Sequence, residues 1–291
     1  MLRRRRLLEI HEQTWCPAGV RDGATDCLQV VADWGRQYNC AAPKLNQALR
    51  ATGVDAIVDL CSGGGGPWHT LRRHIRPADG RPVTVHLTDR FPSANAAQRR
   101  RRDPHIRYVP EPVDAMAVPP ELSGLRTLFT AFHHFTPADA MLILHDAVAR
   151  RQGIAVFEQT QRSWGGIALM LVLAPIVMLA APFMRPFRWS RLFWTYVLPV
   201  LPLVLCVDGI VSCLRTYTVD ELRVMTRAVD PTGAYVWEAG RLSSPLSPLG
   251  VTYLIGYPRP EPHPASNGPP ARPAGATHGP TSAPTRSGEA A

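Results

Sequence analysis

Gly165 to Met184 is a run of 20 residues without a charge, GGIALMLVLAPIVMLAAPFM. Side chains of that kind gain nothing from water, so the run must lie in lipid or against protein. Arg185, Arg188 and Arg191 follow it, and a second apolar stretch then runs from Leu192 to Leu214. Together the two read as a helical hairpin. Its neighbours constrain the fold further, because strand-like runs alternate with helical patterns over 51–160 and resume over 217–257. The hairpin is therefore expected to interrupt one α/β body, not to follow it as a separate domain.

Within that body, Ala56 to Leu60 is a short apolar run that ends in a glycine cluster. Val83 to Asp89 is β-branched and ends at a turn, Ile106 to Val109 is a weaker strand, and Thr127 to Phe132 is another. A helix follows: Thr136 can cap it, Pro137 suits its first position, and Asp139 favours its positive end. Arg150 and Arg151 fall in its last turn and Gly153 is expected to end it. Ile154 to Phe157 is the next strand and closes on Glu158. After the hairpin, Thr218 and Glu221 fit a capping box for a helix running to about Val229, and 234–239 and 251–257 read as two last strands. The expected organisation is an N-terminal helical cap (1–50), a cofactor-binding core (51–160), the hairpin (161–216), a completing helix and strands (217–257), and a disordered Pro/Ala-rich tail (258–291).

Strands alternating with helices predict an α/β fold with a mostly parallel sheet, covered by helices on both faces. Asp59-Leu60-Cys61-Ser62-Gly63-Gly64-Gly65-Gly66 follows the first strand and opens a helix. Glycines there let the backbone come close to a ligand, and free N–H groups at a helix start can receive a polar or anionic group. No Gly-Lys-Ser/Thr follows, which excludes a P-loop, and Trp68 occupies the third glycine position of a dinucleotide fingerprint.

Over roughly 51–160 and 217–257 the sequence resembles the class I S-adenosylmethionine-dependent methyltransferases, whose fold is Rossmann-like. The resemblance implies that Asp59, Cys61, Gly63 and Gly65 hold the amino-acid end of the cofactor. It implies that Asp89 binds the ribose hydroxyls and that Asp114 and Ala115 sit beside the adenine. Phe129 to Phe135 falls where the family's fourth strand ends near the transferred methyl group. Cys61 departs from the family pattern, which has a glycine there, and the loop is expected to survive because cysteine is small.

Asp59 to Gly65, Asp89, His133, His134 and Glu158 all fall at carboxyl ends of expected strands, where open parallel sheets bind ligands. Methyl transfer from a sulfonium is an in-line displacement, so positioning supplies much of the catalysis. A base helps if the acceptor is a hydroxyl or an amine, and His133, His134 and Glu158 are the catalytic candidates. No metal site is expected: the six cysteines, at 16, 27, 40, 61, 206 and 213, form no C-x-x-C pair, and no histidine pair stands beside them at ligand spacing.

Length and aromatic flanks make the hairpin a membrane element, with Trp189, Trp194 and Tyr196 near its junction. Two full crossings would place the three junction arginines on the far side, against the positive-inside tendency, and Asp208, Pro199 and Pro202 interrupt the second stretch. A hairpin embedded in one leaflet, its arginines reaching phosphates, fits better. The competing fate is packing on the core or on a second copy. The net charge of +9 comes from 32 Lys+Arg against 23 Asp+Glu, and two runs, Arg3–Arg6 and Arg99–Arg102, supply eight of those cations. Neither run has the aromatic interleaving of a nucleic-acid site, so membrane lipid is the expected partner. The sequence thus points to a methyltransferase on the membrane, its catalytic domain in the cytoplasm, acting on a lipophilic small molecule. The alternative is a non-catalytic scaffold or sensor on the same fold. Oligomeric state is left open.

Overall fold

The β-branched and aliphatic runs pair into a seven-stranded sheet in the computed structural model, which describes residues 2–77, 80, 82–92, 103–185, 187–244 and 247–260. Arginines 99–102 and the tail from 261 onward lie outside the described residues. The strands are β1 (Ala56–Asp59), β2 (Thr84–Leu87), β3 (Ile106–Tyr108), β4 (Leu125–Phe129), β5 (Ile154–Glu158), β6 (Tyr235–Ser244) and β7 (Ser247–Pro258). Their order is β3-β2-β1-β4-β5-β7-β6. The first five are parallel, and β7 runs antiparallel to both β5 and β6. The order reverses between β1 and β4, which opens a crevice at their carboxyl ends.

Alternate residues of each strand face opposite layers. Ile57, Val85, Leu125 and Phe157 pack under Leu45, Leu49, Trp68 and Leu71, which belong to α2 (Ala42–Thr52) and the short α3 (Trp68–Leu71). Val58, Leu128, Val156 and Leu254 face Ile143, Leu144, Leu222 and Met225 of α4 (Pro137–Ala149) and α8 (Val219–Val229). Both of these latter helices start at the expected capping boxes, Thr136 with Asp139 and Thr218 with Glu221.

Element boundaries differ from the expected ones where Thr130 and Arg151, not glycines, take the left-handed conformation. β4 begins at Leu125 and stops at Phe129, because Thr130 takes a left-handed φ of 45° and residues 132–134 coil into a 3-10 turn. The end of α4 uses Arg151, at φ 53°, as its left-handed residue, and Gly153 instead lets Leu125 pack closely. β6 and β7 extend well beyond their expected limits, since the Gly- and Ser-containing ends continue the ladder out to Ser244 opposite Ser247. The N-terminal cap is helical only from α1 (Ala18–Gly35), and the residues before it form turns that lie along the hairpin.

The apolar insertion is a helical hairpin. α5 (Trp164–Ala180) packs along α7 (Val200–Arg215), joined through α6 (Trp189–Leu192) and a wide helical turn at Phe193–Val197. Among the described residues one helix, Trp164–Phe183, is long and apolar enough to cross a membrane, with a mean hydropathy of 2.4, and Trp189–Val197 with Val200–Arg215 passes the same test when taken together. The second stretch bends by 82° at Pro199, as its prolines require. A third core joins the hairpin to α1: Val177, Leu201 and Val204 meet Val20, Ala24 and Cys27.

Two of the three junction arginines are engaged by protein. Arg191 is fully buried, 3.3 Å from Asp26 of α1, and donates to the carbonyls of Ala181 and Met184. Arg188 pairs with the same Asp26 at 3.0 Å, and Arg185 alone of the three is exposed. Asp208 is likewise satisfied by protein, accepting from the backbone N–H groups of Ile10 and His11. Leu171, Val172, Ile176 and Leu179 keep one face of α5 exposed, and Phe183 in the 3-10 turn that follows is exposed as well.

Candidate active site

β1 delivers Asp59 to the crevice, but its carboxylate turns inward. Oδ1 accepts from the Thr127 hydroxyl at 2.6 Å and Oδ2 from the Ser62 hydroxyl at 2.8 Å. Burial outweighs these bonds and pushes its pKa up to about 6. Asp59 is thus the brace of the loop. Cys61 sits at a left-handed φ of 57°, the conformation for which glycine is suited, and burial pushes its thiol up. Gly63, at φ 51°, has nothing within 4 Å of where a Cβ would stand, so this part of the loop presents open backbone. Gly65 follows at φ 114°.

Asp89 leaves β2 and reaches this loop. Its Oδ2 accepts from the Gly63 N–H at 2.8 Å, and its Oδ1 from Phe91 N–H. Its carbonyl accepts from Val113, which places the Asp114 turn beside it. Asp114 accepts from Met116 N–H, and Ala115 is buried. The structure therefore brings Asp59, Cys61, Gly63, Gly65, Asp89, Asp114 and Ala115 to one end of the sheet.

His133 and Glu158 meet across the ends of β4 and β5. Glu158 accepts from His133 N–H at 3.1 Å and lies 2.8 Å from Nδ1. Both are buried, and the two flanking carboxylates, Glu158 and Glu9, hold the imidazole at about 9 against the opposing effect of burial. Glu9 stands 3.7 Å from His133 Nε2, and although burial opposes it, its contacts with the histidines and Ser212 bring it down to about 2. His134 is half-buried, with Nδ1 2.7 Å from Glu12 and 3.9 Å from Glu9. Arg215 lies within 3.4 Å of both acids, Ser212 donates to Glu9, and His11 bridges from Glu9 to Asp208.

This cluster forms one end of a cavity of about 190 Å³. Thr130 and Gln159, the first residues beyond β4 and β5, line its floor, and Leu169, Met170, Leu173, Ala174, Val177 and Leu205 of the hairpin line the rest. Glu9, Glu12, Ser212 and Arg215 had no sequence signal that joined them to the histidines. Asp208 read as an interruption of an apolar helix, whereas here it anchors the N-terminal segment beside the site.

No protein-family model matches the sequence, and no curated protein matches it. Among solved structures, the chain is similar to the plantazolicin methyltransferase BpumL in complex with SAH. The identity is 8%, the match covers 87% of this chain and 95% of that one, and the TM-score is 0.54. An O-methyltransferase from neocarzinostatin biosynthesis, NcsB1, in complex with S-adenosylmethionine and 2-hydroxy-5-methyl naphthoic acid, matches at 14% identity. There the coverage is 83% of this chain and 58% of that one, with a TM-score of 0.47. The likeness to BpumL establishes a shared α/β fold.

Proposed function

We propose that the chain is an S-adenosylmethionine-dependent methyltransferase that acts on a lipophilic small molecule at the cytoplasmic face of a membrane. One observation carries the reading. The cavity is polar at His133 and His134, apolar along the hairpin, and floored by Thr130 and Gln159 just beyond β4 and β5, and β4 pairs with β1, the strand that leads into the glycine loop.

The residues at the sheet's carboxyl end fit the cofactor. The open backbone at Gly63 suits its amino-acid end, together with Cys61, Gly65 and the bracing Asp59. The Asp89 carboxylate, already accepting backbone N–H groups, suits the ribose hydroxyls, and Asp114 and Ala115 flank the adenine. When bound, the cofactor supplies an electrophilic methyl group. The protein's own task is then to hold the acceptor in line with it and to favour the acceptor's deprotonated form. Glu158 fixes the His133 ring so that Nε2 points away from it, toward Glu9. His134, one residue on, stacks near it with ring centroids 4.2 Å apart. The apolar lining supports a lipophilic body for the acceptor, and the exposed face of α5 supports delivery from lipid.

Transfer of labelled methyl from the cofactor into a total lipid extract tests this. A labelled lipid is expected with the native chain, and Asp89→Ala should weaken cofactor binding about 10–100-fold, the worth of roughly 1.5–3 kcal/mol for hydrogen bonds to a charged group. Cofactor binding without a labelled product from any extract would favour the scaffold reading. Absence of cofactor binding would overturn the methyltransferase reading.

A further inference from the structure

We propose that Glu9, His133 and His134 form a binding site for a first-row divalent metal ion. One carboxylate oxygen of Glu9 and one ring nitrogen of each histidine lie within 4.8 Å of one another, although Glu9 is 124 positions before the histidine pair. Two imidazoles and a carboxylate on one side of a cavity are a donor set suited to zinc, cobalt or iron(II), with positions left open for a ligand.

The second observation is an orphaned nitrogen. His133 is 1% exposed, yet its Nε2 has no hydrogen-bond partner among the described residues. Glu9 Oε1, at 3.7 Å, is too far to accept from it. A buried ring nitrogen left in this way is costly unless something fills the gap. The other nitrogen, Nδ1, is held by Glu158 at 2.8 Å. In the neutral ring that contact favours the proton on Nδ1 and the lone pair on Nε2, the carboxylate–histidine arrangement that orients metal ligands, and an ion arriving at Nε2 takes the place of the second proton.

Spacing and charge agree. Ligands about 2.0–2.1 Å from a tetrahedral ion stand roughly 3.4 Å apart. Glu9 Oε1 lies 3.7 Å from His133 Nε2 and Glu9 Oε2 lies 3.9 Å from His134 Nδ1, while one atom from each residue lies within 4.8 Å of the others, so side-chain adjustment of about an ångström brings the three to ligand spacing. Four carboxylates, of Glu9, Glu12, Glu158 and Asp208, stand around the imidazoles of His11, His133 and His134, against two guanidiniums: Arg215, paired with Glu9 and Glu12, and Arg4, which donates to the carbonyls of His133 and Phe135. That surplus of carboxylate suits a divalent cation. Glu12, 2.7 Å from His134 Nδ1, is the group the ion displaces from that nitrogen.

The ion's role, unlike the site itself, rests on the methyl-transfer reading. An acceptor hydroxyl at an open coordination position becomes more acidic and passes its proton to the displaced Glu12, whose side chain is 36% exposed. The freed oxygen then bonds to the methyl carbon, and the carbon–sulfur bond breaks with its electron pair left on sulfur.

Equilibrium dialysis of metal-stripped intact protein against cobalt(II), with its visible absorption spectrum, tests the site without cofactor or acceptor. One cobalt per chain with ligand-field bands is expected. Glu158→Gln should weaken binding about 10–100-fold and His134→Ala by more. His69→Ala, at an exposed histidine outside the cluster, controls for surface binding and should leave it unchanged. His134 is half-buried, so its variant should fold, which circular dichroism checks. Cobalt bound equally by the native chain and His134→Ala, or not bound at all, overturns the proposal. Cobalt bound in a chain that methylates nothing would sustain the site and reject the activity, whereas methylation by a chain that binds no cobalt would do the reverse.

Discussion

Cys61 stands at a backbone position that ordinarily selects glycine, which makes it the sharpest place to test the loop. Its φ of 57° is left-handed, and an L-residue there carries a cost of about 1–2 kcal/mol that glycine does not. Comparing Cys61→Gly with Cys61→Ala isolates this cost, since both variants lose the thiol. Against it stands the larger entropy that glycine gives the unfolded chain, about 0.4–1 kcal/mol. The difference leaves the glycine variant more stable than the alanine variant by about 0.5–1 kcal/mol, the reverse of their order in a helix interior. Urea unfolding measures it: with a slope of about 2–3 kcal/mol/M, the midpoints should separate by roughly 0.2–0.5 M. An alanine variant as stable as the glycine variant would show that residue 61 is not left-handed in solution. The open backbone ascribed to the loop would then be lost as well.

Other consequences are equally direct. Asp59 has a folded pKa raised from 3.8 to about 6, so the folded state holds the proton more tightly than the unfolded one. Its contribution therefore favours folding at low pH and declines as pH rises from about 4 to 6, by roughly 2–3 kcal/mol. Asp59→Asn should remove that decline, and an unchanged difference between variant and native stability across the window would refute it. Asp26→Ala takes away the carboxylate facing the buried Arg191 and should cost about 3–5 kcal/mol in urea unfolding, whereas a loss below 1 kcal/mol would mean that the clasp is not formed. Leu179→Glu with Phe183→Glu alters two side chains that are 76% and 74% exposed, so stability should hold within about 0.5 kcal/mol. The native chain should float with anionic liposomes and this double variant should not; equal flotation would remove α5 as the lipid-facing element.

The sheet was legible because its signals are local. Val83 to Asp89 alternates, Thr136-Pro137 starts a helix, and each needs only near neighbours to act. The glycine loop was legible for the same reason, since Cys61 to Gly65 lie within one turn. The other half of the site depends on partners remote in sequence. Glu9 meets His133 across 124 positions, and Asp208 meets His11 across nearly 200. Nothing in a single sequence records such distances. The arginines misled for a related reason: Arg188 and Arg191 beside an apolar run look bound for phosphate until Asp22 and Asp26 are seen one helical turn apart on α1.

On the proposed reading, the same remote contacts decide how an acceptor reaches the cavity. Residues 9–12 tie the N-terminal segment to Asp208, Ser212 and Arg215, which closes the polar end. The apolar end lies between α5 and α7, where Gly209 is packed against Met170 and both line the cavity. A Cβ at Gly209 would stand 2.7 Å from Met170 Sδ, so Gly209→Ala must push that flexible side chain aside, and the cavity is the space available. Alanine also raises helix propensity by about 0.8–1 kcal/mol, which offsets the crowding, so overall stability should change little. Cofactor affinity, which the proposed function assigns to the glycine loop, should not change. The KM for a bulky lipophilic acceptor should rise while that for a small one holds, and calorimetry with the cofactor gives the internal control. An equal effect on large and small acceptors would mean that the space between the two helices is not where the acceptor's apolar body lies.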